Sequence, residues 1–492
     1  MRRTAAHALI AVAVTPLAAV GSEETLLEEI VVTASFVGIN ESSATRPIHV
    51  LDDATVTEAG VQSLGEHVDA LLGVSSADFG GAVGQPIIRG MSGNRVKVLN
   101  NGTVIRDVSA LGPDHAVDVS LNDVKQIEIV RGPSALMYSN GSIGGIVNVV
   151  DNTIPTTDLE GFSGYLGAEA QSVNDGEAVD LSLRGHVGGL NLTYSYQDAE
   201  MEDYEIPGGA ILDVHDAHHD EDHEADHDDH GDDHDEGHDE EHEEGHGEMD
   251  TLANSDVSTT SHRVGLSTVG DWGYVGMSYS DLSSTYGIPF HSEAAHEEHG
   301  DEHEGEHEGG HEEGEEHHDE HEGDDHAGHD EHGEERIFSK TESEIIALSG
   351  SFKTFIPFLN AIDFAVKNTD YELMEQHAEG GEEEEEGHEG HDHAEGPTVF
   401  SNEATEISIA FDLSAGERIR RVVLNYAEEE ISIIGEEAFM APVDSTETTL
   451  GFFSSDDLGF ATLDVGLRFD QVDRDGFVAE MHHDDDHGEE HE

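Results

Sequence analysis

The sequence predicts a mainly β protein: a compact α+β region over residues 46–152, then long antiparallel strands of the kind that form a transmembrane β-barrel. Three observations carry this. Up to residue 152, short strand-like runs and a helical run alternate with glycine turns. From Gly161 onward, segments of about 10 residues alternate polar and apolar side chains, the period of strands with two unlike faces. The connections between those segments are alternately short and very long.

In chain order, Arg2 and Arg3 precede a small-apolar run from Ala5 to Val20 and the small residues Ala19-Val20-Gly21. Residues 1–21 thus read as a secretory signal peptide. A linker over 22–45 contains Glu28-Glu29-Ile30-Val31-Val32-Thr33-Ala34, a brief β-prone segment able to add to a partner's sheet edge. Within 46–152, Ser63 to Leu72 has helical spacing. Pro86–Gly90, Val96–Leu99 and Ile127–Val130 read as strands. Glycine motifs punctuate them at Ile88-Arg89-Gly90-Met91, Val130-Arg131-Gly132-Pro133 and Gly141–Val149. None has the strand-to-helix context of a phosphate loop, so tight turns are expected.

Eleven strands follow, at 161–171, 178–187, 189–200, 258–269, 271–282, 341–353, 359–375, 398–413, 417–433, 446–456 and 459–472. Alternation alone fits a water-soluble sandwich as well as a barrel. The connections discriminate: those after even strands are short, whereas three of those after odd strands are long. Short turns at one rim and long loops at the other are the habit of outer-membrane barrels.

The long connections are unusual. Four tracts, 213–250, 291–335, 375–395 and 480–492, hold 30 of the 36 histidines and 58 of the 111 acidic residues, with no Lys or Arg. Imidazole nitrogen at this density suits a borderline divalent metal, and the carboxylates add oxygen ligands and an attractive field. The first tract offers His218, His219, His223, His227, His230, His234, His238, His242 and His246. The second offers His296, His299, His303, His307, His311, His317 and His318, and the third His388, His391 and His393. Four-residue spacing would align such rings on a helix, but like-charge repulsion and interspersed glycine oppose that helix. These are expected to be loops that collect metal. All four fall at one rim. Met277 and Met440 read as packing residues.

A formal charge of −91 excludes the phosphate backbone of nucleic acid as a partner. Absence of cysteine excludes thiolate metal sites, disulfides and thiol catalysis. No nucleophile–base constellation suggests an enzyme.

Several motifs resemble those of a known family. Glu28–Ala34 resembles a TonB box; Ile87–Gly90, Val124–Pro133 and Gly144–Asn148 resemble the plug motifs of TonB-dependent outer-membrane receptors. Gly112-Pro113-Asp114-His115-Ala116, Tyr286-Gly287-Ile288-Pro289 before His291, and Ile434-Gly435-Glu436-Glu437 look like the zinc-uptake branch. The resemblance implies a Gram-negative outer-membrane transporter with a plug (46–152) filling the lumen of a barrel (153–492). Its implied partners are outer-membrane lipid and the inner-membrane TonB complex, engaged through Glu29, Ile30, Val31, Val32 and Thr33. Zinc, or another divalent metal, would be cargo with no resident cofactor. Asp114 and His115 would ligate it, completed by Glu436, Glu437 and His291; a Pro-Asp turn with an incidental histidine is the alternative. A siderophore or haem receptor, or a passive surface metal buffer, are competing readings. Barrels of this kind have about 22 strands; eleven here imply that about the first half is present, as in a fragment or truncated product.

Overall fold

The structure is a computed structural model that describes residues 48–208, 251–289, 336–378, 396–416, 418–435 and 438–477. The expected signal, the 28–34 segment and the four tracts, apart from 375–378, lie outside the described residues.

The N-terminal unit begins with β1 (Ile48–Asp52), α1 (Asp53–Ala59) and α2 (Leu64–Asp69). Asp52 caps α1 by accepting from the Thr55 amide, and Ser63 with Glu66 forms a reciprocal capping box on α2. The helical spacing that suggests a run to Leu72 ends at Asp69, because the chain turns back at Gly73 with φ +78°. Next come β2 (Val74–Phe79), β3 (Val83–Ile88), β4 (Val96–Asn100), β5 (Thr103–Val104), β6 (Val124–Val130) and β7 (Gly145–Asp151). β2 and β3 form a hairpin; the rest make a five-stranded sheet ordered β1-β6-β7-β4-β5, with β4 and β7 parallel. Ile88, Ile127, Ile129, Val147 and Val149 form its core with Val56, Leu64 and Val68 from the helices. Each such side chain contributes about 2 kcal/mol through burial.

The wall is one antiparallel sheet of eleven strands, as the alternation predicts. They are β8 (Phe162–Ala170), β9 (Glu177–Val187), β10 (Leu190–Met201), β13 (Val257–Gly270), β14 (Gly273–Gly287) and β15 (Arg336–Ile356), then β16 (Leu359–Ala378), β17 (Thr398–Asp412), β18 (Ile419–Ile434), β19 (Val443–Asp457) and β20 (Thr462–Gly476). Between β10 and β13, the two-residue strands β11 (Tyr204–Glu205) and β12 (Thr251–Leu252) pair at the base of the first long connection. The largest departure from the sequence reading lies at the loop rim. There β14 runs on to Gly287 and β15 starts at Arg336, because ladder pairing continues through Thr285↔Lys340 and Gly287↔Phe338 after the alternation fades.

Which face is buried settles the class. Leu183, Leu192, Ile346, Leu348, Leu424, Leu450 and Phe469 are exposed on the outer face, and so is Met277. The alternate positions, Ser182, Thr193, Ser261, Arg263, Ser343, Lys367, Asn402 and Glu406, are buried. Polar residues inward and apolar ones outward invert the pattern of a soluble sandwich and match a wall facing lipid.

The N-terminal unit sits against the inward face. Val83 and Val108 join Tyr286, Tyr371, Leu373 and Phe400 in a shared core, with Met440 packed on it. Charged clamps supplement it: Arg106 with Glu406 and Glu429, both at 3.2 Å, Arg263 with Asp151 at 3.4 Å, and Arg184 with Asp123. Burying such charges is tolerable only because each is paired.

Candidate metal centre

Residues 105–123 connect β5 to β6 and carry Asp114 and His115 to the loop rim. Their shape is imposed from beneath. The Gln85 side-chain amide donates to the carbonyls of Ser109 (2.7 Å), Gly112 (2.8 Å) and His115 (3.0 Å). The Asp107 carboxylate accepts from the Ser109 and Asp118 amides, closing the stem. The wall holds the same stem: Asn402 donates to the Asp107 carbonyl, Ser343 to the Asp118 carboxylate, and the Ala116 amide to the Tyr286 hydroxyl. Tyr286 thus gives the Tyr286–Pro289 motif its position beside the loop.

His115 is 4% exposed, with its ring edge-on to Phe400 at 4.8 Å. Its Nδ1 lies 3.2 Å from the Val108 carbonyl, which fixes the proton on Nδ1 and leaves the Nε2 lone pair free. Nε2 faces Oε2 of Glu375 at 3.9 Å, an ion-pair distance rather than a hydrogen bond. Asp114 completes a group whose three donor atoms lie within 4.8 Å of one another. Tetrahedral zinc holds its ligands at about 2 Å, so donor pairs would close to about 3.3 Å. A shift of about an ångström suffices. Gly112 leaves the room: a Cβ there would meet Asp114 Oδ1 at 2.5 Å and His115 Nε2 at 3.3 Å.

Electrostatics follow from burial and company. Burial lowers the His115 pKa, but Glu375, Asp114 and the Val108 carbonyl outweigh it and raise it above 6.5. Burial raises Asp107, against the amides it accepts from. Asp118 reaches about 6 through burial and, secondarily, the neighbouring Asp107 charge, with the Ser343 hydroxyl opposing.

The structure therefore brings Asp114 and His115 together with Glu375. Sequence reasoning places Glu375 where the strand 359–375 meets the third tract and does not single it out as a ligand. It lies in β16 and is buried on the inward face, in step with Leu373 and Tyr371. That parity is the available signal. His291, Glu436, Glu437 and the tract histidines other than His377 lie outside the described residues, as do Glu29–Thr33.

Residues 40–146 match the model of the TonB-dependent receptor plug domain. A vitamin B12 transporter of Vibrio vulnificus, BtuB, is 29% identical over 156 residues, which cover 31% of this chain and 25% of that protein. Among solved structures, the FrpB iron transporter of Neisseria meningitidis superposes with a TM-score of 0.57 at 13% identity, over 87% of this chain and 59% of that one. The copper transporter OprC gives 0.56 at 11% identity, covering 87% and 55%. The ferric enterobactin receptor PfeA of Pseudomonas aeruginosa gives 0.56 at 13% identity, covering 90% and 59%. The chain thus spans a quarter of the curated relative and under three fifths of these structures. The chain therefore carries a region that matches the TonB-dependent receptor plug domain and an antiparallel wall with the fold of these transporters.

Proposed function

We propose that the chain is part of a TonB-dependent outer-membrane transporter for a divalent transition metal, zinc foremost. The observation that carries this reading is the Asp114–His115–Glu375 group, with His115 and Glu375 buried and Asp114 half-buried, two residues from the plug and one from the wall. One imidazole and two carboxylates are ligands for a bare ion, with nitrogen and oxygen donors and no thiolate. Among the described residues, His115 and Glu375 are enclosed by Phe400 and the loop itself, which suits a bare ion better than a siderophore or haem. A passive surface buffer would need no such site inside the seam. Copper remains a competitor on intrinsic affinity at imidazole, and a copper transporter is among the structural relatives. The His-rich tracts would gather ions, and the 28–34 segment would receive TonB by strand addition.

The decisive experiment combines calorimetry and uptake. Asp114→Ala with His115→Ala should abolish one tight zinc-binding event in the purified protein while the fold persists. Ile30→Pro should abolish energy-dependent uptake while that binding event survives, because proline removes a ladder donor. Unchanged tight stoichiometry in the double variant would refute the site; retained energised uptake in the Ile30→Pro variant would refute the coupling.

A further inference from the structure

Four strands of the wall meet in one row at Glu375. Tyr286 of β14 pairs with Ser339 of β15, Ser339 pairs with Glu375 of β16, and Glu375 pairs with Thr398 of β17. All four residues are buried, so their side chains form a single inward-facing row, and Asp114 and His115 meet it at Glu375. Residues directly opposite in an antiparallel ladder stand with Cβ atoms about 4.5–5.5 Å apart, close enough for their side chains to hydrogen-bond.

Two hydroxyls in this row have bonding capacity to spare. Tyr286 Oη accepts from the Ala116 amide at 3.1 Å, which leaves its own hydrogen to be given elsewhere, and the charges of Glu375 and Asp114 both bear on it. Ser339 is 0% exposed, and its Oγ has no hydrogen-bond partner although the Tyr286 hydroxyl lies beside it. A buried hydroxyl left unbonded costs stability, so it calls for a state of the protein in which it is bonded.

The way a carboxylate binds an ion supplies that state. The Glu375 Oε2 faces His115 Nε2 at 3.9 Å. Zinc takes one carboxylate oxygen at about 2 Å in a tetrahedral set, and the oxygen left over needs a donor to keep the group from turning. Ser339, next along the ladder, can give it one while its own oxygen accepts from Tyr286. A larger, oxygen-seeking ion gains by taking both carboxylate oxygens, which a hydrogen bond to the second oxygen opposes.

We propose that Ser339, backed by Tyr286, holds the second oxygen of Glu375 and so makes it a one-oxygen ligand, setting the site's preference for a small tetrahedral ion such as zinc over a larger one such as manganese. The inference rests on the transport reading above and adds a selectivity that the three ligands alone do not supply. Ser339 and Tyr286 are positioning residues, and neither touches the ion. Because Tyr286 also holds the Ala116 amide, next to His115, the same chain of bonds ties the plug ligands to the wall ligand.

The test is competition calorimetry with zinc and manganese at the tight site of the intact protein. Ser339→Ala should weaken zinc binding by about tenfold or more, the usual effect of losing such a supporting bond, and weaken manganese binding by less, so that the zinc-to-manganese ratio narrows. Thermal unfolding of the metal-free variant should begin no lower than the parent's, because the lost hydroxyl is unbonded there. Tyr286→Phe should narrow the ratio in the same direction, and adding it to Ser339→Ala should narrow it no further. An unchanged or widened ratio in Ser339→Ala, or a lowered unfolding temperature in its metal-free form, would make Ser339 a packing residue and overturn the proposal. Additive ratio changes would overturn the part given to Tyr286. Failure of the parent protein to bind zinc tightly, or tight binding that survives Asp114→Ala with His115→Ala, would instead sink the site itself, and both are read without either hydroxyl variant.

Discussion

Gln85→Leu removes the support under the loop that carries Asp114 and His115 while leaving every proposed ligand in place. One amide nitrogen faces the carbonyls of Ser109, Gly112 and His115 at 2.7–3.0 Å, and its two hydrogens serve two of them at a time. Leucine has a similar volume but donates nothing. Two buried carbonyls left unpaired cost about 1–3 kcal/mol each, so a rigid loop would lose about 2–6 kcal/mol. The loop can escape part of this by moving outward to hydrate its carbonyls, which places the expected loss at the lower end, about 2–4 kcal/mol. That same movement draws Asp114 and His115 away from Glu375. Zinc affinity at the tight site should therefore fall by about tenfold or more, the ratio that 1.4 kcal/mol produces. Calorimetric zinc titration gives the affinity, and hydrogen exchange at residues 109–116 reports the loop. An unchanged affinity together with unchanged protection would refute the idea that Gln85 sets the geometry of the site.

Three further outcomes are expected. Arg106→Met strands Glu406, which is 2% exposed, and should cost about 3–5 kcal/mol in unfolding measurements; adding Glu406→Leu should restore most of it, and no restoration would deny the pairing. His115, raised above 6.5, gives the metal-free fold a stabilisation that is complete below its unfolded pKa and lost as pH rises through the folded value. Zinc binding runs the other way, strengthening as pH rises through that value and weakening about tenfold per unit below it; Glu375→Gln should move the midpoint down, and a midpoint that stays put would show that Glu375 is not what raises it. Deleting 213–250 and 291–335 should lower uptake chiefly when zinc is scarce, since collecting loops raise local concentration only; loss of maximal transport with the barrel intact would make those loops the obligatory site.

The strands are legible because their signal is local. Period-two alternation needs only neighbours, and it locates eleven wall strands with their ends blurred where ladder pairing outlasts the alternation, as at Gly287 and Arg336. Which face is buried cannot be read that way, since both a sandwich and a barrel alternate; it takes the burial of Ser261, Arg263 and Lys367 to decide. Asp114-His115 stands out as an isolated pair in an ordinary loop. Glu375 does not, because its role depends on register: it faces Ser339 on one side and Thr398 on the other, and only that pairing aims it inward. Gln85 is hidden for a related reason, as its three acceptors are 24 to 30 residues away in sequence. Long-range complementarity of this kind leaves no local periodicity to detect.

Asp114 and His115 ride on the plug, Glu375 belongs to the wall, and the His115 ring takes its bearing from the Val108 carbonyl. Affinity at such a junction is a function of mechanical displacement. A force that slides the 105–118 segment by a few ångströms takes the carboxylate of Glu375 out of reach, and turning the Val108 carbonyl swings Nε2 off its axis. An ion held there, as proposed, would then be released at constant pH, with no competing ligand and no chemical step. Work done on the backbone would be converted directly into a lower binding constant, and the junction would act as a transducer whose output is a freed cation.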